Sequence, residues 1–113
     1  SNKSDISGVY KGESTITVTD IEHNILKKSE PIELMIGQSD KIVSGKVTIG
    51  GYSITLHSGT IIENILTLQG GTEPEVISID AKVNKNSMEG SLKGRLYPDG
   101  IAHLYKGSFT AKR

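Results

Sequence analysis

The sequence predicts an all-β fold, an antiparallel up-and-down barrel of about eight strands. Three observations predict it. Apolar and polar residues alternate with period two along most of the chain, the pattern of a strand with two different faces. The alternation is clearest near the C-terminus. There Met88, Gly90, Leu92, Gly94 and Leu96 share one face, and after a turn His103, Tyr105, Gly107, Phe109 and Ala111 share another. The breaks between alternating runs are short and carry turn chemistry. Pro98 presets φ for a first central turn position, Asp99 can bond forward to the backbone, and Gly100 tolerates positive φ. No connection has room for a crossover helix, so sequential strands pair antiparallel by default. Eight strands in a meander lose both exposed edges by closing into a barrel. A two-sheet sandwich satisfies the same alternation and is the runner-up.

The elements follow in order. Ser1–Asp5 is polar and reads as a frayed start. Any export signal or lipid-bearing cysteine would lie upstream of it. Asn2-Lys3-Ser4 matches a glycosylation sequon, which carries little weight at such an end. A first strand runs from near Ile6 to Thr19, with Tyr10, Gly12, Ser14, Ile16 and Val18 on one face. Gly12 in mid-strand suggests a bend or a close backbone approach. Residues 20–30 admit one or two helical turns, because Ile21 and Ile25 are four apart and Asp20 can cap. β-branched neighbours favour a hairpin turning at His23-Asn24. A second strand covers Ile32–Ile36, with Pro31 fitting only its start, an edge or a bulge. A third runs Ile42–Ile49, followed by a tight Gly50-Gly51 turn. A fourth runs Tyr52–His57, and Ser58-Gly59 is expected to turn the chain. A fifth, Thr60–Gln69, needs a bulge at Ile61-Ile62 to put Ile62, Asn64, Leu66 and Leu68 on one face. After the loop at Gly70–Pro74, a sixth strand runs Glu75–Asn84 with Ile77, Ile79, Ala81 and Val83 inward. The last two strands form the C-terminal hairpin. Ten residues are expected in the core: Ile16, Val18, Leu34, Val47, Ile54, Leu56, Leu66, Ile79, Leu92 and Phe109.

The chain has 113 residues, which suits one domain over 1–113. Basic and acidic residues balance at 13 each, which argues against nucleic acid as a partner, since that affinity rests on neutralising phosphates. A local basic patch stays open. Cysteine is absent, so no disulfide, thiolate metal site or cysteine nucleophile is available. No apolar run approaches the length of a transmembrane helix. Glycine is frequent, at 13 residues, and Trp is absent, which supports an all-β chain and argues against aromatic platforms for sugars or bases.

The stretch Asp5-Ile6-Ser7-Gly8-Val9-Tyr10-Lys11-Gly12 resembles the G-x-Y-x-G start of lipocalin-like (calycin-like) domains of secreted bacterial lipoproteins. The closing residues Met88–Gly94 and Lys106–Ala111 are similar to the last strands of such domains. The resemblance implies an up-and-down barrel that is exported, to the periplasm or cell surface, with a lipid anchor upstream. It implies no catalytic residues. True lipocalins place a Trp near the first strand, and this chain has none.

The chemistry on offer is sparse. His23, His57 and His103 lie on separate segments, whereas a metal site needs converging ligands, so no metal and no cofactor are expected. Glu73 and Glu75 flank Pro74, and a solvated loop outweighs paired acid–base carboxylates. No nucleophile elbow or P-loop spacing occurs. The chain is therefore expected not to be an enzyme. His103 and Tyr105 share a face near a strand start and could orient a polar ligand at a barrel mouth. The bland alternative is that they satisfy each other. With Tyr10 and Tyr52 they make up the candidate ligand-contacting set. Two function classes survive: a barrel holding a small apolar or amphiphilic ligand, and a protein-interaction barrel such as a periplasmic protease inhibitor. A large open interior with polar groups at one mouth favours the first, and a filled interior with an ordered, protruding N-terminus the second.

Overall fold

The structure, a computed structural model, describes residues 5–113. The sequon, and the first four residues of the start expected to be frayed, lie outside the described residues. Asp5 is held in place. Its carbonyl accepts from Arg113 Nη1 at 2.9 Å, and its carboxylate accepts from the Ser7 N–H at 2.8 Å.

Among the described residues there are eight strands and no helix: β1 (Gly8–Thr19), β2 (Ile25–Ser39), β3 (Ile42–Ile49), β4 (Tyr52–Ile62), β5 (Ile65–Gly70), β6 (Val76–Asn84), β7 (Ser87–Leu96) and β8 (His103–Lys112). Each pairs antiparallel with the next, and β8 pairs back onto β1, closing the barrel. Closure rules out the two-sheet sandwich. Residues 20–24 form a hairpin turn, not a helix, with His23 at φ 67°.

Three boundaries differ from expectation by five residues or more. β2 starts seven residues earlier than Ile32, because the polar run Lys27–Pro31 pairs with β1 although it offers no apolar alternation. Pro31 sits inside β2 without cost to a ladder. Its carbonyl accepts from Gly50 N at 2.9 Å, so its nitrogen faces the β3–β4 turn, past the last pair of β3. The chain does not turn at Ser58-Gly59. β4 continues to Ile62 and turns at Glu63-Asn64, so the fifth strand begins at Ile65. The bulge also falls earlier. Leu56 pairs with Gly70 and Ser58 with Gln69, leaving His57 as the extra residue. That residue switches parity, so Ile61 is buried while Ile62 is exposed.

All ten expected core residues are buried. The interior is packed by setting large side chains beside small ones. Phe109 lies between Gly90 on β7 and Ser14 on β1, and Gly107 lies between Leu92 and Ile16. A Cβ on Gly12 would stand 1.8 Å from the Thr110 carbonyl oxygen, so the expected close approach is real: the β1 and β8 backbones meet there. Tyr10, Leu34, Leu56, Leu66, Leu68, Ile79 and Leu96 are fully buried, and the interior is filled with side chains. A groove lined by Lys11, Glu13, Lys82, Glu89 and Lys112 lies on the outer wall, and a second cleft, lined by Gln38, Asp40, Ile61 and Glu63, lies between two turns.

The meander gives the barrel two different ends. The β2–β3, β4–β5 and β6–β7 turns gather at one end, with residues 5–7 and Arg113. This terminal end is plugged. Ile6 is buried and donates its N–H to Gln38 Oε1 at 2.8 Å, and Arg113 Nη1 donates to the Ser7 carbonyl at 2.8 Å. The β1–β2, β3–β4, β5–β6 and β7–β8 connections gather at the other, the hairpin end.

Candidate functional site

The hairpin end carries the polar groups that could meet a partner. β1 and β2 run on past the β3–β4 turn and are joined by residues 20–24, which Asp20 organises. Its carboxylate accepts from the N–H groups of Glu22 at 2.9 Å and Asn24 at 2.8 Å, and from the Asn24 side-chain amide at 3.1 Å. These bonds, the Asn24 backbone bond foremost, hold the Asp20 carboxyl below its ordinary value.

Inside this projecting hairpin the inward face turns polar. Val18 is still buried, but its partner Leu26 is 59% exposed. The next inward residues, Lys28 and Glu30, form an ion pair at 3.0 Å. A Cβ on Gly50 would lie 2.6 Å from Glu30 Oε1, so the carboxylate folds against the glycine turn.

Glu75, in the β5–β6 loop, is a clasp. It accepts hydrogen bonds from the Tyr52 hydroxyl and from the Tyr97 N–H, the latter at 2.9 Å. Three connections are thereby tied at one carboxylate. The Glu75 hydrogen bond pushes the Tyr52 phenol up to about 12, since ionising it would set two negative charges together. Tyr105 packs against the core. Burial raises its phenol, Lys28 opposes the rise, and Glu30, Asp99 and Glu75 add to it. His103 Nδ1 lies 2.8 Å from the Ile101 carbonyl and 3.7 Å from Asp99 Oδ1.

The structure thus brings His103, Tyr105 and Tyr52 to one end. Tyr10 belongs elsewhere. It is fully buried at the terminal end, donates to the Ile6 carbonyl at 2.8 Å, and lies beneath the Arg113 guanidinium, 5.5 Å from the ring centroid. Among the described residues no hydrogen bond joins His103 to Tyr105, so they do not satisfy each other. His23 and His57 are exposed and remote from His103 in the chain, and no three His, Asp or Glu side chains converge on a cation position among the described residues. Glu75 was missed by sequence reasoning, which placed it in a solvated loop. The available signal was topological: the β5–β6 loop and Tyr52 share an end.

Exposed apolar side chains lie at both ends: Ile21, Ile25, Leu26, Ile101 and Leu104 at the hairpin end, and Met35, Ile42, Ile62 and Ile65 at the terminal end. On the outer wall Leu104, Thr19 and Ile25 form one cross-strand row.

No family model and no curated protein matches the chain. Among solved structures, the barrel is similar to part of the vaccine antigen transferrin binding protein B (TbpB) from Haemophilus parasuis Hp5, solved as a single-substitution mutant. The TM-score is 0.52 at 18% identity, over 95% of this chain and 26% of that one. The chain therefore spans about a quarter of that protein's length. The likeness is one of fold.

Proposed function

We propose that this chain is a non-enzymatic, exported binding barrel that engages a protein partner at its hairpin end. The observation that carries the reading is the filled interior: the space a barrel of this size would offer a small ligand is taken by the chain's own side chains. Binding then falls to the outer surface, where exposed apolar residues lie at both ends and the hairpin end adds the projecting start of β2, which pairs with β1 and not with β3. The similar barrel of TbpB belongs to a protein whose name says that it binds another protein, transferrin. Export to the periplasm or cell surface, and a lipocalin-like lineage, rest on the resemblance of Gly8-Val9-Tyr10-Lys11-Gly12 to the start of such domains.

The test is site-specific photo-crosslinking in the producing cell. A photoreactive side chain at Ile25 should yield a discrete protein adduct. The same group at Ile62, also exposed but at the terminal end, should not. Absence of an adduct at Ile25, or equal adducts at both, overturns the reading.

A further inference from the structure

We infer that residues 25–30 of β2 are a receptor edge for an acidic, extended segment of a partner protein, which adds to the barrel as a further strand. This rests on the protein-binding reading above and names the partner's chemistry.

The edge is open on one side. β2 pairs with β1 from Ile25 onward, but with β3 only from Ile32. The Pro31 carbonyl bonds Gly50 N on the β3 side, so strand alternation directs every odd-numbered peptide group of β2 to that side. The N–H and C=O groups of Ile25, Lys27 and Ser29 therefore point outward from the last strand, with no β3 residue opposite. Such an edge is a template for another strand.

A second copy of this chain fits poorly. Odd residues must face odd residues across an antiparallel edge. The two registers that pair most of the segment, centred on residue 27 or 28, set Lys27 against Lys27 or Lys28 against Lys28. Like charges directly opposite are destabilising, and lysine on an edge is a known block to self-pairing.

The charge on the outer wall fits an acidic partner. Lys93, Lys106, Thr17 and Lys27 stand in register across β7, β8, β1 and β2. Arg95 begins the next row, which continues through Leu104 and Thr19 to Ile25. All four cations are exposed, and among the described residues none pairs with a carboxylate. The chain is neutral overall, so this is a local concentration of charge, spanning about 14 Å across three strand spacings. The lysine row ends at Lys27, on the open edge. A carboxylate on the added strand opposite Lys27 would complete the row, and an apolar residue two positions along would cover Ile25. The basic wall would also steer an acidic segment to the edge.

The probe is an eight-residue peptide alternating Glu and Val, compared with its Lys–Val counterpart and with heparin. The Glu–Val peptide should slow amide exchange at Ile25, Lys27 and Ser29, and the Lys–Val peptide should not. Lys27→Glu should weaken Glu–Val binding about tenfold. Ser29→Pro removes a donor that bonds nothing within the barrel, and Pro31 shows that this side of β2 accepts proline. That variant should keep the parent Tm and lose the peptide. Binding that survives Ser29→Pro, heparin that displaces the peptide with no amide protected, or no binding of the Glu–Val peptide would each overturn the inference. The two proposals fail separately. If Ser29→Pro leaves the Ile25 photo-adduct intact, strand addition falls and protein binding stands. If the parent forms no adduct, the protein-binding reading itself falls.

Discussion

Lys93 faces Lys106 directly across the β7–β8 ladder, with both side chains exposed and neither bridged by a carboxylate among the described residues. Such a pair lowers stability. Lys93→Glu should raise it by about 0.2–1 kcal/mol, through relief of repulsion and gain of an attraction. The gain should shrink at high salt, because the pair is solvent-exposed. Denaturant melts at low and high ionic strength check both points, and a loss of stability at low salt would refute the repulsion. The same variant should bind the Glu–Val peptide more weakly, which would mark the lysine row as kept for binding.

The Tyr52–Glu75 clasp predicts alkaline behaviour. In the folded chain the Tyr52 phenol stays protonated up to about 12, against an ordinary value of 10.0. The folded value is the higher one. The clasp's contribution to stability is therefore complete below about 10 and is lost as pH rises towards about 12. Tyr52→Phe should abolish this part of the pH dependence. Burial also raises Tyr10 and Tyr105, so the difference between parent and variant in a phenolate absorbance titration isolates Tyr52. An unchanged high-pH titration in the variant would remove Tyr52 as its source.

Phe109 fills the space left by Gly90 and Ser14, and is 3% exposed. Phe109→Ala should cost about 3–5 kcal/mol in a denaturant melt. Leu104→Ala, on the same strand but facing solvent, should stay within about 0.5 kcal/mol of the parent. Equal effects would mean that the inward parity of β8 is misassigned.

Asp20 gathers the hairpin tip by accepting from Glu22 and Asn24. Its carboxyl is held below its ordinary value of 3.8, so its support is complete above that value and fades as pH falls through the lowered one. Asp20→Ala should speed amide exchange at Glu22 and Asn24 at neutral pH. The difference from the parent should vanish in acid, where both proteins lack the carboxylate. A pH-independent difference would point to a steric role.

Period two was enough to read the inward faces of β3, β6, β7 and β8, because each has one dry face and one wet face. It failed where that contrast failed. The start of β2 is polar on both faces: Lys28 and Glu30 point inward but past the packed core, where they pair with each other. The bulge at His57 was hidden because no doubled apolar residue marks it, while Ile61-Ile62 suggested one where the strand in fact ends. Tyr10 lies on the inward face that alternation gives it but at the opposite end from His103, since alternation reports inward or outward and not height along the barrel. The Glu75 clasp joins residues 22 or more positions apart and leaves no local signature. The unpaired edge at 25–30 likewise follows from the unequal lengths of β2 and β3, which only the register reveals.

Native mass spectrometry of freshly purified protein tests most directly whether the packed interior leaves no room for a small ligand. The mass should be that of the bare chain, unchanged after incubation with fatty acids or other apolar small molecules. A stoichiometric small molecule that co-purifies with the folded chain and is released on unfolding would contradict that expectation.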